Sequence, residues 1–169
     1  MKHGKNSVKI EIFGVRRIFS LMERDTRDVE REMRIEGKVW KDGKFWVVAL
    51  PVLEFSTQAL KASDVEVMMV DAVRSAMEEP RLRVKFMKND QDSWSLEFAD
   101  AKDFVTFFLK QLRLQQGLSV EEVSRKLGYK SRASYFQYEA GRREPSIGQF
   151  ETIVKAMSQN AWRALKVAA

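Results

Sequence analysis

Cysteine is absent from this 169-residue chain, and histidine occurs once, as His3. The first absence excludes disulfides and thiolate metal sites. The second all but closes Ser-His-Asp, Cys-His and His-metal chemistry, because a single imidazole near a terminus cannot furnish those sets. No catalytic residue, metal or cofactor is expected, and the chain reads as a non-enzyme. Any catalysis would rest on carboxylates, lysine or hydroxyls. No apolar run approaches the roughly 20 residues needed to cross a bilayer. Residues 8–13 alternate apolar with charged and polar positions and make no signal-peptide core. A cytoplasmic protein without a membrane partner is therefore expected.

What is present is a chain with 44 % hydrophobic residues, enough for a core, and a net charge of +6. The charge is uneven. Residues 1–102 hold 19 basic and 18 acidic side chains, whereas residues 103–169 hold 11 and 6. A basic excess confined to one segment is the footprint expected of a surface that meets a phosphate backbone. An ordinary solvated surface can carry the same excess, so charge does not decide the matter.

The chain divides into three parts. Residues 1–30 form an N-terminal extension of uncertain role, with a strand-like alternation at residues 8–12 and a charge-dense stretch at 23–34. Residues 31–100 read as an α+β domain. Met33, Ile35 and Val39 stand at strand spacing, and Asp42-Gly43 predicts a hairpin turn in which both residues take positive φ. A strand follows from Phe45 and stops at Pro51, which has no N–H for the ladder. A third strand is expected at residues 55–60.

Ser63-Asp64-Val65-Glu66 reads as a capping box, opening a helix with an apolar stripe of Val65, Met68, Met69, Ala72, Val73, Ala76 and Met77 that Pro80 stops. Leu82, Val84 and Phe86 alternate as a strand, and Trp94, Leu96 and Phe98 alternate again. The order expected is β-β-β-α-β, with room for one further strand.

Residues 101–169 read as helices. Phe104, Phe107, Phe108 and Leu112 mark the core face of one that ends at Gly117. Ser119-Val120-Glu121-Glu122 is a capping box for a short helix with Val123 and Leu127 inward, and Gly128 permits a tight turn. Ser131 caps a third helix over residues 132–139, with Tyr135 and Tyr138 inward. Pro145-Ser146 opens a fourth, carrying Phe150, Ile153, Val154 and Met157.

Short helix, glycine turn, short helix is the geometry that seats a recognition helix in the major groove. Leu118-Ser119, Glu121-Glu122-Val123, Leu127-Gly128, Tyr138-Glu139, Gly141-Arg142 and Pro145-Ser146 resemble the lambda-repressor/Cro-like (XRE) family. Val120 replaces the family's usual glutamine, and the interval from Gly128 to Glu139 is one residue longer than usual. The resemblance implies that Arg132, Ala133 and Gln137 face base edges. Arginine can fork onto guanine, glutamine can pair with adenine, and alanine can touch a thymine methyl. It implies that Ser119, Lys130, Ser131, Ser134, Arg142 and Arg143 lie near phosphates, and that Arg113 and Glu139 form an internal ion pair.

Upstream, residues 40–51 followed by Thr57-Gln58, Met68 and Asp71-Ala72-Val73 resemble HicB-type antitoxins, with Ala59 where that family usually has glycine. That resemblance implies a degenerate RNase H-like β-β-β-α-β unit that caps a small HicA-like mRNA-cleaving toxin. It further implies a homodimer that binds double-stranded operator DNA of its own operon. Trp40, Phe45 and Trp46 are the candidate partner interface, because exposed aromatics mark interfaces. Two alternatives are weighed. One is a stand-alone repressor whose first domain senses a ligand or dimerises. The other is a nuclease with Glu36, Glu66 and Asp71 as its carboxylates, a set that lacks an aspartate on the first strand.

Overall fold

The computed structural model describes residues 33–167, excepting the side chains of residues 164–167. His3, the strand expected at residues 8–12 and all but the last two residues of the charged stretch at 23–34 lie outside it. Strand β1 (Met33–Asp42) and strand β2 (Phe45–Leu50) form the first hairpin. Asp42 pairs with Phe45, so the turn residues are Gly43 and Lys44 rather than the expected Asp42-Gly43. Of these, Gly43 alone takes a positive φ, 57°, a position where a missing Cβ removes the steric cost.

Pro51 ends β2 in a 3-10 turn, Pro51–Leu53, and β3 (Phe55–Ala59) returns along β2. Helix α1 (Val65–Met77) follows. Its start corrects the sequence reading. Ser63 and Asp64 lie in a second 3-10 turn, Ala62–Asp64, and the Ser63 hydroxyl donates to the Asp64 carboxylate at 2.7 Å instead of capping the helix. The Val65 N–H, one of the donors a capping serine at this position would serve, returns instead to the Ala62 carbonyl within that turn. The buried stripe narrows to Val65, Met69 and Val73, leaving Met68 39 % exposed. Glu78, left-handed at φ 56°, closes the helix before Pro80 is reached.

Strands β4 (Val84–Lys88) and β5 (Ser93–Phe98) complete the domain, so the order is β-β-β-α-β-β, one strand more than β-β-β-α-β. The sheet runs β3-β2-β1-β5-β4, and every neighbouring pair is antiparallel. A crossover directly from β3 through α1 into the strand beside β1 is thus not made. The strand after the helix lies at the edge, and the short loop at residues 89–92 folds β5 back against β1 as an antiparallel neighbour.

Alternate residues put Ile35, Val48, Leu50, Val84, Leu96 and Phe98 on one face, where all are buried with α1. Gly37 shares that face opposite Trp94. A Cβ on Gly37 would sit 2.2 Å from the Trp94 ring and 2.8 Å from the Ala49 carbonyl oxygen, so the indole fills the space a side chain would need. Phe86 stacks on the same indole at 4.5 Å.

Five helices follow: α2 (Ala101–Gln115), α3 (Val120–Lys126), α4 (Arg132–Glu139), α5 (Ile147–Met157) and α6 (Gln159–Val167). Asp100 caps α2 by accepting from the Lys102 N–H at 2.8 Å. Phe104, Phe107, Phe108 and Leu112 are fully buried, as their spacing predicts. They also join the two halves. Phe107 meets Phe55 at 5.4 Å and Phe98 at 5.5 Å, and Phe104 meets Phe98 at 5.8 Å. Phe108 continues the run to Phe150 of α5 at 5.7 Å. Among the described residues, no helix is long and apolar enough to cross a membrane.

Candidate nucleic-acid interface

Three helix ends in the second half are built alike. Gly117, Gly128 and Gly141 take φ of 62°, 71° and 63°. At each, the glycine N–H and the next N–H return to two carbonyls of the last turn, as Gly117 to Leu114 and Leu118 to Arg113 show. Gly128 returns to Arg125 and Tyr129 to Ser124, while Gly141 returns to Tyr138 and Arg142 to Gln137. These closures satisfy carbonyls that would otherwise be orphaned, and they fix the angle at which the next segment leaves.

The helix starts are equally specified. Ser119 accepts from the Glu122 N–H at 3.1 Å, while the Glu122 carboxylate accepts from the Ser119 N–H at 2.7 Å and from its hydroxyl at 2.8 Å. The expected capping box is therefore formed. These bonds, the backbone one foremost, hold the Glu122 carboxyl below its usual range. Ser131 caps α4 by accepting from the Ala133 N–H at 3.2 Å.

The inward side of α4 anchors it. Tyr135, Tyr138 and Glu139 are buried, and Glu139 takes a bidentate pair from Arg113 at 2.6 and 2.7 Å. The same guanidinium donates to the Leu118 carbonyl at 2.8 Å, so one side chain on α2 ties the approach to α3 to the end of α4. This is the ion pair that the resemblance implies. The hydrogen bonds to Glu139 push the Arg113 guanidinium still further up. Burial pushes the Tyr135 phenol up as well, aided by the Glu139 charge. The Ser124 hydroxyl, itself buried, donates to the Arg132 carbonyl at 3.3 Å and locks α3 to the first turn of α4.

With that side fixed, the other side is presented to solvent. Arg132, Ala133 and Gln137 are all exposed, on one face of the rod. Lys130, Ser131, Arg142 and Arg143 are exposed at its two ends, and Ser134 is half-buried on its flank. The backbone N–H groups of Arg142 and Arg143 both donate to the Gln137 carbonyl, at 2.9 and 3.1 Å, which pins the basic pair beside the last turn. Arg143 lies over the Tyr138 ring at 5.8 Å. Ser119 is exposed, but its hydroxyl already donates and accepts within the capping box.

The sequence reading missed Arg125, which is exposed on α3 and lines a polar hollow with Glu121, Ser124, Tyr129, Lys130 and Arg132. Helical spacing could have found it, since it faces the same side as the start of α4. Phe136 was missed too, and it is 41 % exposed on α4.

Residues 109–158 match the Helix-turn-helix family model. The chain carries a helix-turn-helix domain. It is of the XRE-like kind, with α3 and α4 as the two short helices about the Gly128 turn, and such a domain is a DNA-binding module of transcriptional regulation. No curated protein matches the chain.

The sheet candidates do not form one surface. Trp40 is 46 % exposed and pairs with Val47 on the face away from α1. Phe45 is half-buried on that same face, with the Lys44 ammonium 5.1 Å from its ring centre. Trp46 is half-buried on the opposite face, packed against the core beside Ala59, because one residue's step along a strand reverses the side. The grouping of Trp46 with the other two is corrected accordingly. Glu36 lies on the face away from α1, whereas Glu66 and Asp71 are exposed on α1 itself, so the sheet separates these carboxylates.

Proposed function

We propose that the chain is a cytoplasmic, sequence-specific repressor that reads operator DNA by laying α4 in the major groove. The observation that carries this reading is the two-sidedness of α4. Tyr135, Tyr138 and Glu139 hold it rigidly, while Arg132, Ala133 and Gln137 are free on the outside with basic residues at both ends. Arg132 forks onto guanine, Gln137 pairs with adenine and Ala133 meets a thymine methyl. Lys130, Ser131, Ser134, Arg142 and Arg143 set register on phosphates, and Ser119 sits near the same strand. A two-fold dimer would read half-sites one helical turn apart, about 34 Å.

The test is a titration against duplexes selected from a random pool. Arg132→Ala should cost about 1–3 kcal/mol and relax one base position. Arg143→Ala should weaken all sequences alike and lower the salt slope by about 1. Equal behaviour of the two variants refutes this placement of α4.

A second reading assigns the sheet domain to a partner, making the chain an antitoxin that neutralises a small HicA-like mRNA-cleaving toxin and represses its own operon. Trp40, a large aromatic left 46 % exposed, supports it. An RNase H-like lineage for the domain would have to accommodate the added strand and the all-antiparallel order. Co-expression with the product of the adjacent reading frame decides: no relief of growth arrest and no co-purifying complex would end the antitoxin reading and leave the repressor.

A further inference from the structure

We infer that Phe136 reads thymine, through the 5-methyl group in the major groove, as a specificity-determining residue beside Arg132 and Gln137. The inference rests on the operator-reading role of α4. At 100° per residue, Ala133 marks the middle of the outward side of α4. Gln137 stands 40° to one side of it and Phe136 60° to the other, on a geometry set by 3.6 residues per turn. Phe136 is thus on the surface that would enter the groove, and it is 41 % exposed, whereas Tyr135 and Tyr138 of the same helix are 0 % and 3 % exposed.

Its surroundings point to nucleic acid rather than to an apolar protein surface. Arg132 and Arg142 are both exposed near it, and the Arg142 guanidinium lies 5.8 Å from the centre of its ring. That cation screens one side of the ring, and the Gln137 carbonyl holds its backbone in place. What remains accessible is an apolar edge with no hydrogen-bonding group. In the major groove the apolar feature a base pair displays is the thymine methyl, so a ring without donors or acceptors discriminates there by methyl contact. Burying one methyl-sized group against the ring corresponds to about a fourfold gain in affinity.

The experiment replaces each thymine of the selected operator, one at a time, by deoxyuridine, which removes the methyl and keeps the pairing. Full-length wild type and Phe136→Ala are titrated with each duplex. Thermal unfolding of both proteins checks that the exposed substitution leaves the fold intact. The expected result is at least one thymine whose replacement weakens wild type about fourfold and leaves Phe136→Ala unchanged. If every thymine whose methyl matters to wild type matters equally to Phe136→Ala, the methyl contacts belong to Ala133 and the inference is overturned. So does an operator insensitive to uracil throughout, while Arg132→Ala still relaxes a base position, which leaves the role of α4 standing. A random pool that yields no preferred sequence overturns both. A change in oligomeric mass in Phe136→Ala, with uracil sensitivity unaltered, places the ring in a protein contact and likewise overturns it.

Discussion

Replacing Arg113 by alanine is the perturbation whose size the structure sets most directly. The Arg113 side chain is 12 % exposed and that of Glu139 is 5 % exposed. Three donations leave the guanidinium, two to Glu139 and one to the Leu118 carbonyl. Arg113→Ala strips the carboxylate of its partner while leaving it out of water. Breaking a buried pair from one side costs about 3–5 kcal/mol, mostly because the remaining charge stays uncompensated. Against a typical domain stability of about 5–15 kcal/mol, that is a large share. Urea unfolding at pH 7, followed by Trp emission and far-ultraviolet dichroism, gives the number. The double variant Arg113→Met, Glu139→Leu separates charge from packing: it should return to within about 1 kcal/mol of wild type, since apolar replacement of both partners removes the desolvation cost. A single variant costing under about 1 kcal/mol, or a double variant as weak as the single, would refute this account of what holds α4.

Three further outcomes follow from the geometry. Gly37→Ala should destabilise by about 1–3 kcal/mol or more, because its Cβ meets the Trp94 ring at 2.2 Å; an unchanged urea midpoint and unshifted Trp emission would count against it. Burial raises the Tyr135 pKa in the folded state, so the unfolded phenol, at about 10, ionises first and stability falls as pH rises beyond that point. Tyr135→Phe should flatten that alkaline decline in a series of urea midpoints from pH 8 to 11, and an identical slope would reject the assignment. The Glu122 carboxyl is lowered by the Ser119 N–H and hydroxyl, so its contribution is present above the unfolded carboxylate pKa of about 4.3 and is lost as pH falls through the folded value. Glu122→Gln should show a shallower acid decline between pH 5 and 3, whereas an unaltered decline would mean the box contributes nothing there.

The second half of the chain was more legible than the first because its determinants are local. Ser119 with Glu122, Ser131 before Arg132, and the three glycines act within four residues of themselves, and each sits where the sequence places it. The sheet depends on pairings that no local pattern states. Alternation marked β4 and β5 as strands, yet nothing in residues 82–98 says that β5 turns back onto β1 while β4 takes the edge. The side of Trp46 was lost for the same reason, since facing depends on which neighbour sets the register. Ser63 looked like a helix cap because spacing alone does not show that a 3-10 turn precedes α1. Phe136 was hidden by its residue type: an aromatic in an amphipathic helix is read as core unless the buried set, Tyr135 and Tyr138, is already known.

The unbroken run from Phe55 and Phe98 through Phe107, Phe104 and Phe108 to Phe150 has a practical corollary for dissecting the molecule. Scission near Asp100, where the strand pattern gives way to helix, would take Phe55 and Phe98 away from Phe104 and Phe107 and leave a greasy seam on the excised helix-turn-helix half. A fragment cut there should be sticky and ill-behaved, and a version that retains the sheet, or trades Phe104 and Phe107 for polar residues, should be the tractable one.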